Sequence, residues 1–160
     1  WEEGSVALSQ VYMSGRQCET LMDELRPEVA GTRMDGVRLA IVALEDYHFL
    51  GMRLVSSVLR ASGFSLLDYG RMDVDALAER AAADRVDVLL VSVLMLHSAL
   101  RVRALRAKLD SCGRRIALAV GGAPFRLDKS LWRDVGADGT SDTAAGAAAL
   151  VRRLVEERSR

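Results

Sequence analysis

The sequence predicts a doubly wound α/β domain built on five parallel strands. Three observations lead there. Four short runs rich in Val, Leu, Ile and Ala, and the remnant of a fifth, recur between residues 37 and 140. Segments with helical periodicity separate most of them, and a parallel strand pair needs a crossover of that length. No sixth run follows. The sheet is therefore expected in the flavodoxin-like (Rossmann-like) order 2-1-3-4-5, with right-handed crossovers and helices on both faces.

The chain opens on a helix over 5–25. Leu8, Val11, Tyr12, Cys18, Met22 and Leu25 recur there at three- and four-residue steps and build one apolar stripe. Pro27 ends it, because it lacks an amide hydrogen and crowds the preceding turn. Segment 27–36 (PEVAGTRMDG) reads as a linker. The first strand, 37–44 (VRLAIVAL), is apolar on both faces and so buried. A helix over 49–61 runs to Gly63, and a second strand covers 64–69. An Ala- and Leu-rich helix, 74–83, leads to the third strand, 86–92 (VDVLLVS). The helix over 98–111 is rich in arginine and stops at Gly113. A fourth strand, 115–120 (RIALAV), a short helix, 130–135, and a strand remnant, 138–140, precede the closing helix, 142–157. Ser141 or Asp142 is expected to cap it.

Composition narrows the function classes. The chain has 160 residues, enough for one domain with a short appendage. Lys+Arg and Asp+Glu are both 22, so no net charge draws it to nucleic acid or an anionic membrane. The two cysteines, Cys18 and Cys112, make neither a disulfide framework nor a CxxC knuckle, and reduced thiols in the cytoplasm are expected. No apolar run is long enough to span a bilayer, and no secretory leader is visible. A chain that begins at Trp1 is expected to lack its natural start.

In this kind of sheet ligands bind outside the carboxyl ends of the strands, where the strand order reverses. That places loops 45–51 (EDYHFLG) and 92–98 (SVLMLHS) at the site, with 121–124 (GGAP) beside them. Both histidines of the chain, His48 and His97, fall in these loops. No GxGxxG follows the first strand and no GxxxxGK[ST] exists, which disfavours dinucleotides and excludes a triphosphate loop. Asp46 and His48 are two residues apart and point the same way in an extended loop. A carboxylate so placed can hold one imidazole nitrogen and leave the other free for a metal or a proton. The plainer reading is a helix-capping Asp beside a half-exposed His.

Three motifs coincide in order. Asp46-Tyr47-His48-Phe49-Leu50-Gly51 fits DxHxxG, Ser92-Val93-Leu94 fits SxL, and Gly121-Gly122 fits GG. Together they resemble the cobalamin-binding domain shared by methionine synthase, methyltransferase corrinoid proteins and B12-dependent mutases, over roughly residues 37–155. The stretch before Pro27 looks like the end of the helical cap that precedes this domain in methionine synthase and the corrinoid proteins. Residues 1–30 would then be the end of a truncated cap plus linker, and 31–160 the cobalamin-binding domain. The Glu-His pair that light-sensing B12 regulators carry after a cap Trp is here Val11-Tyr12.

The resemblance implies roles. His48 would replace the dimethylbenzimidazole as lower axial ligand of cobalt (base-off, His-on), with Asp46 holding its other nitrogen. Ser98 falls where methionine synthase has the third member of a His-Asp-Ser relay. Ser92, Leu94, Gly121 and Gly122 would line the slot for the displaced nucleotide tail, the glycines because a side chain would fill it. Ser141 falls where the tail pocket closes. Tyr47, Phe49, Leu50, Gly51, Val93 and Leu96 complete the cofactor-binding loops. The chain departs from the usual pattern in three places: Glu45 replaces a Gly before Asp46, Phe49 an acidic residue, and Leu96 a Thr that bonds the tail, worth about 1 kcal/mol.

The activity implied is that of a methyl-carrier subunit rather than a stand-alone enzyme. Co(I) takes a methyl group from a donor on one methyltransferase subunit, and methyl-Co(III) gives it to an acceptor on another. The bound form would be methylcobalamin, hydroxocobalamin or a related corrinoid, with a reductive activation protein as a further partner, and no nucleic acid or membrane. The alternative is a B12-binding sensor without turnover. A receiver-like signalling domain is disfavoured, since the third strand does not end in Asp. Elsewhere, Arg101, Arg103 and Arg106 read as a solvated helix face. Met95 reads as core and Trp132 as a packing residue. Trp1, Tyr12 and Met13 are candidates to shield the upper cobalt face.

Overall fold

The computed structural model describes residues 36–158 without a break, together with Gln10, Met13, Ser14, Gln17, Cys18, Thr20 and Leu21, all helical. Trp1, Tyr12, most of the apolar stripe expected over 5–25 and residues 27–35 of the linker lie outside the described residues.

From Gly36 on, strands and helices alternate. They are β1 (Leu39–Leu44), α1 (Leu50–Ala61), β2 (Leu66–Met72), α2 (Val74–Ala83), β3 (Val88–Ser92), α3 (Leu96–Ser111), β4 (Ala117–Gly121), α4 (Ala123–Leu127), α5 (Leu131–Asp134), β5 (Gly139–Thr140) and α6 (Ala144–Arg158). The sheet is parallel throughout, in the predicted order β2-β1-β3-β4-β5. β1 is buried at all six positions, as its unbroken apolar run requires. Leu39, Ile41 and Ala43 enter the core beneath α1 and α6, while Ala40, Val42 and Leu44 enter the one beneath α2 and α3. This alternation puts one residue in two from each strand on the face that carries the site.

Local chemistry explains most boundaries. Asp73 accepts the Ala76 amide at 2.9 Å and starts α2 where the sequence predicts it. Four departures have identifiable causes. β2 runs three residues beyond the expected 64–69 because it is an edge strand, where Asp68 and Arg71 stay in solvent. α4 takes in the end of the loop expected at 121–124, because Pro124 in its first turn and the buried Phe125 make a short helix there. α3 begins two residues early, so Leu96 and His97 lie in its first turn. The cap of α6 is Thr143, whose Oγ1 accepts the Gly146 amide at 3.1 Å, rather than Ser141 or Asp142.

Two side-chain expectations are also revised. Arg106 is not part of a solvated face: its side chain is 14% exposed, and Nη1 donates to the Ile116 carbonyl at 2.9 Å. Met95 is half exposed and outside the core. Trp132 does pack against the core beneath α2 and α3. Among the described residues no helix is long and apolar enough to cross a membrane.

Candidate functional site at the switch point of the sheet

β1 and β3 pair in the middle of the sheet while their crossovers leave in opposite directions, so a crevice opens at their carboxyl ends. The loop after β1 turns sharply. Glu45 adopts φ +51, and its amide donates to the Met72 carbonyl at 3.0 Å. That turn drives Asp46 inward to 4% exposure. Asp46 Oδ1 accepts the amides of Tyr47 at 2.8 Å and His48 at 3.3 Å, and stands 3.1 Å from His48 Nδ1. Its Oδ2 accepts the amides of Leu94 at 2.7 Å and Met95 at 3.2 Å. One carboxylate thus ties the loop after β1 to the loop after β3. Burial raises its pKa, but the Leu94 amide, the His48 ring and the His48 and Met95 amides outweigh that and hold it below the usual carboxylate range.

The left-handed turn accounts for the glycine usual at position 45. A non-glycine residue there costs about 1–2 kcal/mol. Glu45 recovers part of this through Oε1, which accepts Arg101 Nε at 3.3 Å, an exposed pair worth at most about 0.5 kcal/mol. Glu45→Gly is therefore expected to stabilise the domain by roughly 0.5–1 kcal/mol in urea unfolding. A lowered midpoint would show that the ion pair matters more than the strain.

His48 is 54% exposed, and among the described residues its Nε2 has no hydrogen-bond partner. Exposed apolar side chains are its company on these loops: Leu94, Met95 and Leu96, with the Tyr47 ring covered by the Arg71 guanidinium at 4.2 Å. Beside it a cleft of ≈ 420 Å³ descends between α1 and α6 onto the sheet. Its floor is Ile41, Leu90 and Ala119, the inward residues of three adjacent strands. Gly51, Ser92, Leu94, Gly121 and Ser141 line it. A Cβ on Gly51 would meet Ser92 Oγ at 3.6 Å and one on Gly121 the Ser141 carbonyl at 3.8 Å, so both glycines keep the cleft open without being sterically obligatory.

Gly122 lines the cleft too, but it is glycine for a different reason. Its φ is +127, and a Cβ would lie 1.7 Å from the Val93 carbonyl oxygen. The residue lets the turn after β4 pass against the β3 backbone, where Val93 N donates to the Gly121 carbonyl at 3.0 Å. Val93 itself is buried in the core beneath α2 and α3. Phe49 precedes α1 and packs on the core beneath it, and Leu50 begins that helix half-buried. Ser98 is fully buried, but its Oγ lies 3.2 Å from His97 Nε2, while the Asp46 oxygens bond to Tyr47, His48, Leu94 and Met95. The expected three-membered relay is therefore a pair plus a separate Ser98–His97 contact. Val55, Leu54, Leu150, Thr143 and Arg126 also line the cleft and were not singled out from sequence. Strand alternation does point to its floor: Leu90 and Ala119 lie two residues before the ends of β3 and β4, and Ile41 three before the end of β1.

A half-exposed imidazole held by a carboxylate, an apolar rim and a deep, mostly apolar cleft suit a large ligand. Among the described residues no group of three or more His, Cys, Asp or Glu gathers to hold a bare ion. A metal already bound by a macrocycle needs only one such ligand. The model of the B12 binding domain family matches residues 36–149, and the chain belongs to that family; cobalamin or a related corrinoid is its cofactor.

Within it, the chain is similar to the methylamine corrinoid proteins. It is 36% identical to monomethylamine corrinoid protein 1 of Methanosarcina acetivorans over 98% of this chain and 75% of the relative. The structure of the Methanosarcina barkeri monomethylamine corrinoid protein superimposes with a TM-score of 0.77 at 30% identity, over 96% of this chain and 74% of the other. The methanol:cobalamin methyltransferase complex of M. barkeri shares the fold at 23% identity, with a TM-score of 0.60 over 97% and 60% of the two chains.

Proposed function

We propose that the protein is the methyl-carrying corrinoid subunit of a methyltransferase system and binds its cofactor base-off, with His48 as lower ligand of cobalt. The observation that carries this reading is the Asp46–His48 pair: Nδ1 is held at 3.1 Å and Nε2 is free at an apolar rim. The cleft beside it suits the displaced nucleotide tail in size and in its mostly apolar lining. Such a cofactor supplies a cobalt centre able to take up and return a methyl group.

The chain's own residues position and protect. Asp46 fixes the tautomer and direction of the His48 ring. Gly51 and Gly121 keep the tail slot open. Leu94, Met95 and Leu96 offer an apolar seat at its mouth. Residues 1–30, read as the end of a helical cap, would cover the opposite face, and 31–160 form the cofactor-binding unit. Methyl donor and acceptor then arrive on partner methyltransferase subunits, and a reductive activation protein restores the cofactor. The named relatives make methylated amines the first donors to assay.

The test is His48→Ala reconstituted with hydroxocobalamin. The variant is expected to take up cobalamin through its tail with affinity reduced about tenfold or more, and with a cobalt absorption spectrum changed from that of the wild type. An identical spectrum would show that His48 does not ligate cobalt.

A further inference from the structure

We propose that Arg126 is the anchor for the anionic phosphodiester of the corrinoid's nucleotide tail, and so lets this chain select complete corrinoids over tail-less ones. The inference rests on the reading of the cleft as the tail slot.

Among the residues lining the cleft only Arg126 and Asp142 carry a formal charge. Asp142 is already paired, its Oδ1 accepting Lys129 Nζ at 2.6 Å. The small polar groups beside it are also used: Ser141 Oγ donates to the Thr143 carbonyl at 2.8 Å, and Thr143 Oγ1 accepts the Gly146 amide. Arg126 differs. Among the described residues its guanidinium has no hydrogen-bond or ion-pair partner, although its backbone is firmly placed. Its amide donates to the Gly122 carbonyl at 3.3 Å, and buried Pro124 and Phe125 fix the same short helix to the core.

The cleft therefore has an apolar floor, a neutralised acid and an uncompensated cation. A wholly apolar ligand would gain nothing from that cation. A ligand with an apolar end and a single negative charge on the linker would fit all three features, and a nucleotide tail (aromatic base, sugar, phosphodiester) has that order of groups. Guanidinium is the side chain best shaped for phosphate oxygens, and two donors can engage two of them.

The experiment compares cobalamin with cobinamide, which lacks the nucleotide and its phosphodiester, on the wild-type chain, Arg126→Gln and Arg126→Lys. Equilibrium binding is followed by the corrinoid absorbance at low and high salt. Arg126→Gln is expected to weaken cobalamin about tenfold at low salt and to leave cobinamide unchanged; Arg126→Lys should recover part of the loss. Added salt should weaken cobalamin on the wild type more than on Arg126→Gln. Equal cobalamin affinity in wild type and Arg126→Gln, or an equal loss for both ligands, overturns the proposal. A wild type that prefers cobalamin to cobinamide while Arg126→Gln keeps that preference leaves the tail slot standing and removes Arg126 from it. A wild type that binds neither ligand instead overturns the functional reading itself.

Discussion

Gly122→Ala is expected to cost the domain at least about 3 kcal/mol, a large fraction of the stability of a domain of this size. A Cβ at this position lies 1.7 Å from the Val93 carbonyl oxygen and 2.8 Å from the carbonyl carbon. Both are backbone atoms just past the carboxyl end of β3, tied to β4 by the Val93 N–Gly121 O hydrogen bond, and cannot rotate away. The conformation, φ +127 and ψ −178, is itself open essentially only to glycine. Gly121→Val offers the contrast. Gly121 ends β4 on the same face as Ala119, and a Cβ there is in ordinary contact. That variant should fold, with an unfolding midpoint close to wild type, yet lose cobalamin uptake because the isopropyl group fills the slot. Urea unfolding and cofactor stoichiometry measured on both variants separate the two roles. A Gly122→Ala protein as stable as the parent would refute the packing account.

The second large effect is expected at Asp46→Asn. The carboxylate takes four backbone amides and one ring nitrogen on its two oxygens, and it takes them as an acceptor only. An amide side chain has one oxygen. Whichever way it turns, its NH2 faces N–H donors of the β1 or the β3 loop. A loss of about 2–3 kcal/mol at neutral pH follows for a buried, charge-assisted cluster of this kind. The pH dependence carries the same signature. Because the folded pKa lies below the ordinary value of 3.8, ionised Asp46 contributes stability above that pH, and the contribution is lost as pH falls through the lowered value. Asp46→Asn should lack that part of the acid sensitivity. In the holoprotein, freeing the His48 ring should also weaken the proposed ligation of cobalt by about 10–100-fold, the usual cost of removing a partner of a ligating imidazole. Urea unfolding at pH 7 and about pH 2.5, with cobalamin titration, checks both parts. Wild-type stability together with wild-type affinity would show that Asp46 is a bystander.

Much of this was legible in the chain because backbone physics dictated it. The unbroken apolar run of β1 has no polar face to offer solvent, so it had to be central, and a central first strand fixes the switch point and the loops that carry Asp46 and His48. The Ala- and Leu-rich run 74–83 marked α2, and Asp73 caps it in the structure. The edge strand β2 was harder, since Asp68 and Arg71 carry no burial signal. The reason for Gly122 was hidden for another cause. Sequence shows that a side chain is missing but not which wall it would strike, and here the wall is the Val93 backbone rather than the slot. Ser98 illustrates the same gap. Its spacing from Ser92 is that of a relay, but the hydroxyl's direction is set by where α3 begins, and starting two residues early brings His97 beside it. Arg106 looked like a surface charge because helix periodicity cannot foresee that the Ile116 carbonyl will need a donor.

The double attachment of Asp46 has a mechanical consequence. The oxygen that steers the imidazole and the oxygen that fixes the amides of Leu94 and Met95 belong to one rigid, planar group. A tug on His48 therefore twists a lever whose other arm moves two apolar side chains at the surface. On the proposed ligation of cobalt by His48, a change at the metal would reach that rim through a single carboxylate.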